Sequence, residues 1–170
     1  MFRHMLVALG IATALAPALS AQQPGDLVRR VSRSGPRFGV TFLDAQIRDS
    51  IKSRYDVEVG PVITQFGWQY ERQFASLEQG PVALNEFILL IGGLDQGTFI
   101  PSITWIVGIR TPGNFEFGVG PNATPNGVAL AISSGVTFRA GALAIPVNLA
   151  IVPGRIGTRA SLLTGFNLYR

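Results

Sequence analysis

Residues 127–170 read GVALAISSGVTFRAGALAIPVNLAIVPGRIGTRASLLTGFNLYR, and their side chains alternate between two chemically different faces. Near the start of this stretch, Leu130 and Ile132 alternate with Ala129 and Ala131. Alternation with a period of two predicts β-strands, because successive side chains of a strand point to opposite sides. Three such segments follow one another here, separated by two short turns that contain glycine.

The second face of these segments is made of small, weakly polar side chains and carries almost no charge. Ala, Ser, Gly and Asn occupy it, whereas a soluble sheet carries Lys, Glu and Thr on its wet side. Such a face suits the packed interior of a narrow barrel whose large aliphatic face meets lipid. The pattern therefore predicts an all-β fold, an eight-stranded antiparallel up-and-down transmembrane β-barrel.

The strand count rests on five further alternating segments upstream. They cover residues 37–43, 62–74, 82–92, 98–110 and 114–120, and a loop is predicted at 121–127. Eight is the smallest common strand number for a closed outer-membrane barrel, and an even number places both ends of the chain in the periplasm. Strands of about 9–11 residues span a bilayer when tilted. The facing of 82–92 stays open, because Asn85 and Glu86 lie on opposite parities.

The first long loop, residues 44–60, contains a short predicted helix. Ile47 and Ile51 lie four residues apart among charged residues, which indicates one apolar helix face. The charged side chains make this loop the candidate surface site: Asp44, Asp49, Lys52, Arg54, Asp56 and Glu58. Clustered carboxylates can bind a divalent cation, but such clusters are more often simply solvated, and no metal site is predicted.

Residues 1–21 have the features of a secretory signal peptide. Arg3 and His4 give a positive start, residues 5–15 form an apolar core, and small side chains before Gln22 suit cleavage between Ser20 and Gln22.

Residues 22–36 are polar and are predicted to form a flexible periplasmic tail, so that the barrel itself covers 37–170. Four arginines concentrate in and beside this tail: Arg29, Arg30, Arg33 and Arg37. We interpret them as a solvated tail rather than as a site for nucleic acid or acidic headgroups.

Composition limits the chemistry of the chain. Charged residues make up 14% of its 170 residues, against about 25% in ordinary soluble domains. Cysteine is absent, and the single histidine, His4, lies in the predicted signal peptide. Ser-His-Asp and Cys-His catalysis are therefore excluded from the mature chain, as are the usual zinc sites. We predict no enzymatic activity and no cofactor.

Polar side chains with inward parity are predicted to form an interior network: Gln65, Gln69, Glu71, Arg110, Glu116 and Arg159. Glu71 and Glu116 would alternatively form an acid–base pair. An ion network with Arg110 and Arg159 is the better interpretation, because charges buried in a narrow barrel must be paired. Aromatic residues with outward parity are predicted to form a girdle at one level near the periplasmic interface: Phe38, Tyr70, Phe74, Phe115 and Phe138.

The signal peptide, the eight alternating strands, the polar interior and the terminal strand at 165–170 together resemble the small outer-membrane β-barrel proteins of the OmpA, OmpX and NspA type. Members usually end in an aromatic residue, whereas here Tyr169 precedes a final Arg170. The resemblance implies export through the periplasm to the outer membrane and recognition by the barrel-assembly machinery. It also implies contact with outer-membrane lipid and lipopolysaccharide, a monomeric state and no nucleic-acid partner.

The resemblance implies a structural, anchoring or surface-interaction role without an open pore. Two alternatives remain open at the level of sequence. One is a soluble periplasmic barrel of lipocalin type, whose aliphatic face would point inward around an apolar ligand. The other is a lipid-modifying outer-membrane enzyme that would use the carboxylates.

Overall fold

The computed structural model describes residues 33–76 and 80–168, which form a closed antiparallel β-barrel. The strands are β1 Gly35–Leu43, β2 Val62–Ser76, β3 Val82–Gly92, β4 Ile100–Arg110, β5 Phe115–Thr124, β6 Gly127–Ala140, β7 Leu143–Gly154 and β8 Gly157–Gly165. A short segment, β9 Asn167–Leu168, continues the last strand beyond Phe166 and pairs with β7. One α-helix, α1 Ala45–Tyr55, and a single 3₁₀ turn, Leu94–Gln96, lie in the described connections.

Closure of the barrel depends on pairing between the first and the last long strand. Each strand from β1 to β8 pairs antiparallel with its sequence neighbours, and β1 also pairs with β8, from Arg37 opposite Gly165 to Leu43 opposite Arg159. Every one of these eight strands thus has two neighbours, and no strand is left as an open edge. The predicted eight-stranded up-and-down barrel with a short helix in its first loop is confirmed.

The two faces of the wall differ as the alternating pattern requires. On β2, Trp68 and Tyr70 are exposed on the outside, while Gln69 and Glu71 between and beside them are buried in the lumen. The pattern also settles the facing of β3, because Glu86 is buried and Asn85 is exposed. The outside of the barrel is therefore aliphatic and aromatic, and polar side chains are enclosed.

Helix α1 is fixed at both of its ends. Asp44 is the N-cap, and its carboxylate accepts a hydrogen bond from the Gln46 backbone N–H at 2.8 Å. At the other end Asp56 adopts the left-handed conformation, with φ of 54°, and its N–H donates to the carbonyl of Lys52.

The helix lies across one end of the barrel, which we call the mouth. Its inner face consists of Ile47 and Ile51, which are buried against Leu43, Val59 and Ile63. Ile47 and Ile51 thus form the apolar helix face that their four-residue spacing predicted. Burial of this cluster holds α1 over the lumen.

Several element ends differ from the sequence prediction. β1 begins at Gly35, two residues before the predicted start, and β5 continues to Thr124, so the predicted loop at 121–127 is reduced to a tight turn. The interpretation of the arginines as a solvated tail is wrong for Arg33 and Arg37, which are both buried. Arg37 shares the inward parity of Thr41 on β1, so its side chain enters the lumen, where Gln69 and Asn167 accept its hydrogen bonds.

The predicted signal peptide, residues 22–32 of the predicted tail, and the last two residues lie outside the described residues. Within the described ranges, no helix is long and apolar enough to cross a membrane.

Candidate functional site: the barrel lumen and its mouth

The half of the lumen farthest from α1 contains a buried ion network. Arg110 donates from both Nη atoms to the Glu71 carboxylate, at 2.7 and 2.5 Å, and from Nε to Glu116 Oε1 at 2.7 Å. Thr137 Oγ1 donates to the same Glu116 oxygen at 2.7 Å. Arg110 and Glu116 lie opposite each other in the β4–β5 register. Both carboxylates are thus held by one guanidinium, an arrangement of an ion network rather than of a free acid–base pair.

A second buried cation lies beside this network at the start of β1. Arg37 donates from Nε to Gln69 Oε1 at 2.9 Å and from Nη1 to Asn167 Oδ1 at 3.0 Å. The Asn167 contact crosses the seam between the first and the last strand, so that closure of the barrel and satisfaction of Arg37 depend on each other. Gln65 lies nearer the mouth, where its Oε1 accepts from Thr41 Oγ1 at 2.6 Å.

Sequence reasoning missed Glu86, which belongs to the same half of the lumen. It is buried opposite Glu71 in the β2–β3 register, and its Oε1 has no hydrogen-bond partner among the described residues. Asn85 and Glu86 are consecutive polar residues that must point to opposite faces, so the sequence alone did not show which of them lies in the lumen. The signal that resolves the conflict is the exterior hydrogen bond from Trp105 Nε1 to Asn85 Oδ1, since it accounts for a polar side chain on the outer face.

Arg159 does not join the carboxylates, so its predicted membership of the ion network is wrong. It lies opposite Leu43 at the mouth, whereas Glu71 and Glu116 lie toward the other end. Its Nη1 and Nη2 donate to Thr124 Oγ1 at 2.9 Å and to Asn122 Oδ1 at 2.8 Å. No carboxylate of the described residues forms an ion pair with it.

The half of the lumen nearest α1 contains a cavity of about 440 Å³. Its walls are mainly apolar. Polar groups on them come from several strands and include Thr41, Gln65, Ser102, Thr104, Asn122, Thr124, Ser133, Arg159 and Ser161. The expected packed interior is therefore present only in the far half. Space remains near the mouth because small inward side chains such as Ala131 and Ala150 line the wall there.

The predicted girdle residues Phe38, Tyr70, Phe74, Phe115 and Phe138 are all exposed on the outer face. Tyr70 and Phe74 are four residues apart on one strand, a separation of about 13 Å along it. The rings consequently occupy a band of the wall rather than a single level.

The charged residues of the first loop surround α1 on its solvent side. Lys52 Nζ donates to Glu58, which lowers the pKa of the Glu58 carboxyl and raises the pKa of the Lys52 ammonium. Tyr55 donates its hydroxyl to the carbonyl of Pro125 at 3.0 Å, which ties the end of α1 to the turn between β5 and β6. Across the described residues, no group of three or more carboxylate, histidine or cysteine side chains is placed to hold a metal ion.

The buried ion network predicts a specific loss of stability. Replacing Arg110 by Met should lower the free energy of unfolding by about 3–5 kcal/mol, because Glu71 and Glu116 then remain buried without their partner. Denaturant unfolding of the purified barrel in detergent measures the change. Arg72→Met, which removes the same charge from an exposed position, is the matched control and should change little; equal stabilities for the two variants would contradict the network.

Comparison with known proteins gives a likeness of fold. No protein-family model and no curated protein matches the sequence. Among solved structures, the chain is similar to the Yersinia pestis outer-membrane protein Ail in a phospholipid nanodisc, with 10% identity, a TM-score of 0.53, and coverage of 82% of this chain and 99% of Ail.

A crystal structure of Ail, the attachment invasion locus protein of Yersinia pestis, in complex with the heparin analogue sucrose octasulfate also matches, with 11% identity, a TM-score of 0.49, and coverage of 82% and 97%. Together with the closed barrel described above, the likeness to Ail in the nanodisc shows that this chain has the fold of the small eight-stranded outer-membrane β-barrel proteins.

Proposed function

We propose that the chain is an integral protein of the bacterial outer membrane, a monomeric barrel that conducts no ions and presents its α1 loop at the cell surface as an interaction surface. The observation that carries this proposal is the outer wall. Large apolar side chains are exposed on all eight strands, among them Phe38, Phe66, Phe87, Trp105, Phe117, Leu130, Leu149 and Leu162. A wall of this kind matches the hydrocarbon of a bilayer.

The soluble lipocalin alternative requires the opposite arrangement. In that case the aliphatic face would line the lumen and the small side chains would meet water. Here the ion network fills the far half of the lumen, and contiguous apolar surface of this extent is what soluble monomers avoid. The wall therefore supports contact with outer-membrane lipid and lipopolysaccharide, and insertion by the barrel-assembly machinery.

The absence of conduction is supported by the contents of the lumen. Arg110 links β4 to Glu71 on β2 and Glu116 on β5, and Arg37 bonds to Gln69 and Asn167 in the same half. An eight-stranded barrel is only wide enough for side chains to fill. Ions would have to displace this network to pass.

A non-catalytic role is supported by the same contacts. Glu71 and Glu116, the two carboxylates of the acid–base alternative, are both engaged by Arg110. The third buried carboxylate of this half, Glu86, lies opposite Glu71 and has no hydrogen bond to Arg110. The oxygens of this pair that a substrate would need are occupied by the Arg110 guanidinium. The α1 loop, in contrast, is long and exposed, and of the four loops at the mouth it carries the largest charged surface, which makes it the best candidate for surface interaction.

The proposal predicts that the purified monomer forms no pore. In a planar lipid bilayer, the folded protein should give no regular conductance steps, because the ion network closes the far half of the lumen. Protein-free detergent and a heat-unfolded sample are the controls. Large, uniform steps that depend on the folded monomer would contradict the proposal.

The proposal also predicts which end of the barrel faces outward. The chain has no native cysteine, so a single cysteine at an exposed position can be labelled alone. Ser53→Cys on α1 should react with a membrane-impermeant maleimide on intact cells. Ala142→Cys, in the turn between β6 and β7 at the opposite end, should react only after the outer membrane is opened. Labelling of Ala142→Cys alone on intact cells would invert the topology.

A further inference from the structure

The wall of the barrel has a discontinuity between β6 and β7 near the mouth. The β6–β7 ladder ends with Ile132 opposite Ile151. The flanking hairpins continue farther, to Thr124 opposite Gly127 and to Gly154 opposite Gly157. Residues 127–131 therefore pair only with β5, and residues 152–154 pair only with β8. The two segments do not pair with each other.

A proline lies just beyond the end of this ladder. If the register continued, Pro153 would lie opposite Leu130, two positions beyond the last pair. Proline has no N–H to donate to a neighbouring strand. Extending the ladder to Pro153 would therefore add no N–H donor from that residue.

A groove of about 600 Å³ occupies the gap. Its lining includes Val128 and Ile156, which are exposed on the outside, and Ile47 and Arg159, which also line the lumen cavity. Asn126 is shared by the groove and the cavity as well. The apolar cavity therefore lies directly behind the groove, with the shared side chains between the two spaces.

The surroundings of the opening indicate the chemistry of an occupant. Its outer border carries the apolar side chains Val128 and Leu130, which are 73% and 54% exposed, and the exposed cation Arg155. Arg159 uses two of its five N–H donors, on Thr124 and Asn122, and within the described part of the chain it has no carboxylate partner. The buried Asn126 Oδ1 also has no hydrogen-bond partner among the described residues. An apolar space that ends at a cation with free donors fits an acyl chain with an anionic head.

We infer that the lumen cavity binds one acyl chain of an anionic membrane lipid, which enters from the bilayer between β6 and β7 while its phosphate bonds to Arg159. The cavity volume of about 440 Å³ is in the range of small-molecule sites, about 300–1,000 Å³. The inference rests on the membrane location proposed above. It gives the cavity in the half of the lumen nearest α1 a ligand and proposes no reaction there.

Photo-crosslinking in vesicles tests the inference. The full mature barrel is reconstituted with phosphatidylglycerol that carries a diazirine at the end of one acyl chain, and the labelled residues are identified by mass spectrometry. Inward residues of the cavity, such as Ile106 and Ser133, should be labelled in a saturable manner that unlabelled phosphatidylglycerol competes away. Outward residues contact bulk lipid, so their labelling should follow the probe concentration without saturating.

Four variants make the test specific. Ala150→Phe fills the cavity and should reduce inward labelling about tenfold or more, and Ser133→Leu serves the same purpose if the first variant does not fold. Arg159→Met should also reduce it about tenfold, because a charge-assisted hydrogen bond to phosphate is lost. Arg72→Met is the charge control and should leave inward labelling unchanged. Electrophoretic mobility before and after heating shows that each variant is folded.

A second arm distinguishes a membrane lipid from a free amphiphile. Dodecyl phosphate is titrated into the protein in a neutral maltoside detergent, and its stoichiometry is read by native mass spectrometry; one bound molecule, lost in Arg159→Met, is expected. Binding of dodecyl phosphate without inward labelling in vesicles would overturn entry from the bilayer. Absence of both signals from a barrel that still fractionates with outer membranes would overturn the inference and leave the proposed function intact.

Discussion

The structure depends first on the requirement that every strand has two partners. In lipid no water is available to satisfy exposed backbone groups, so a sheet can cross a bilayer only if it closes on itself. Here closure is made by β1 and β8, which pair from Arg37–Gly165 to Leu43–Arg159 although they are more than a hundred residues apart in the chain. A closed sheet in lipid needs enough strands to close and apolar side chains on its outer face. The alternating pattern of the sequence supplies both.

Closure also determines what can be placed inside. A barrel of eight strands has a narrow lumen, and the far half is filled by Arg110 with Glu71 and Glu116, and by Arg37 with partners that include Asn167 on the other side of the seam. These contacts satisfy charges that would be costly to bury alone. The half under α1 is different, because small side chains and the end of the β6–β7 ladder leave space there and an opening beside it.

Much of this architecture could be predicted from alternation alone. The fold class, the helix carried by Ile47 and Ile51, and the inward parity of Glu71 and Arg110 follow from a period of two or of about 3.6. The position of Arg159 relative to the carboxylates could not, because parity gives the face of a side chain and not its height in the barrel. Height depends on register between strands, which the sequence does not display.

The facing of Glu86 and the cavity were hidden for related reasons. Glu86 competes with Asn85 for the inward position, and only the pairing of Asn85 with Trp105 on the next strand resolves the choice. The cavity arises where several small residues on different strands meet at one height, beside the early end of the β6–β7 ladder. Each is unremarkable in the sequence, and only the closed register brings them together.

The measurement that tests closure most directly is a disulfide across the seam. Val40 and Leu162 lie opposite each other on β1 and β8, within the reach of a disulfide for directly opposed residues. The Val40→Cys/Leu162→Cys protein should form an intramolecular bond at high yield in the folded state. Leu149 on β7 also lies opposite Leu162, so the whole of β8 separates it from Val40. The matched control, Val40→Cys/Leu149→Cys, should therefore not cross-link. Bonds only between molecules, or equal yields for the two pairs, would contradict a barrel closed by β1 and β8.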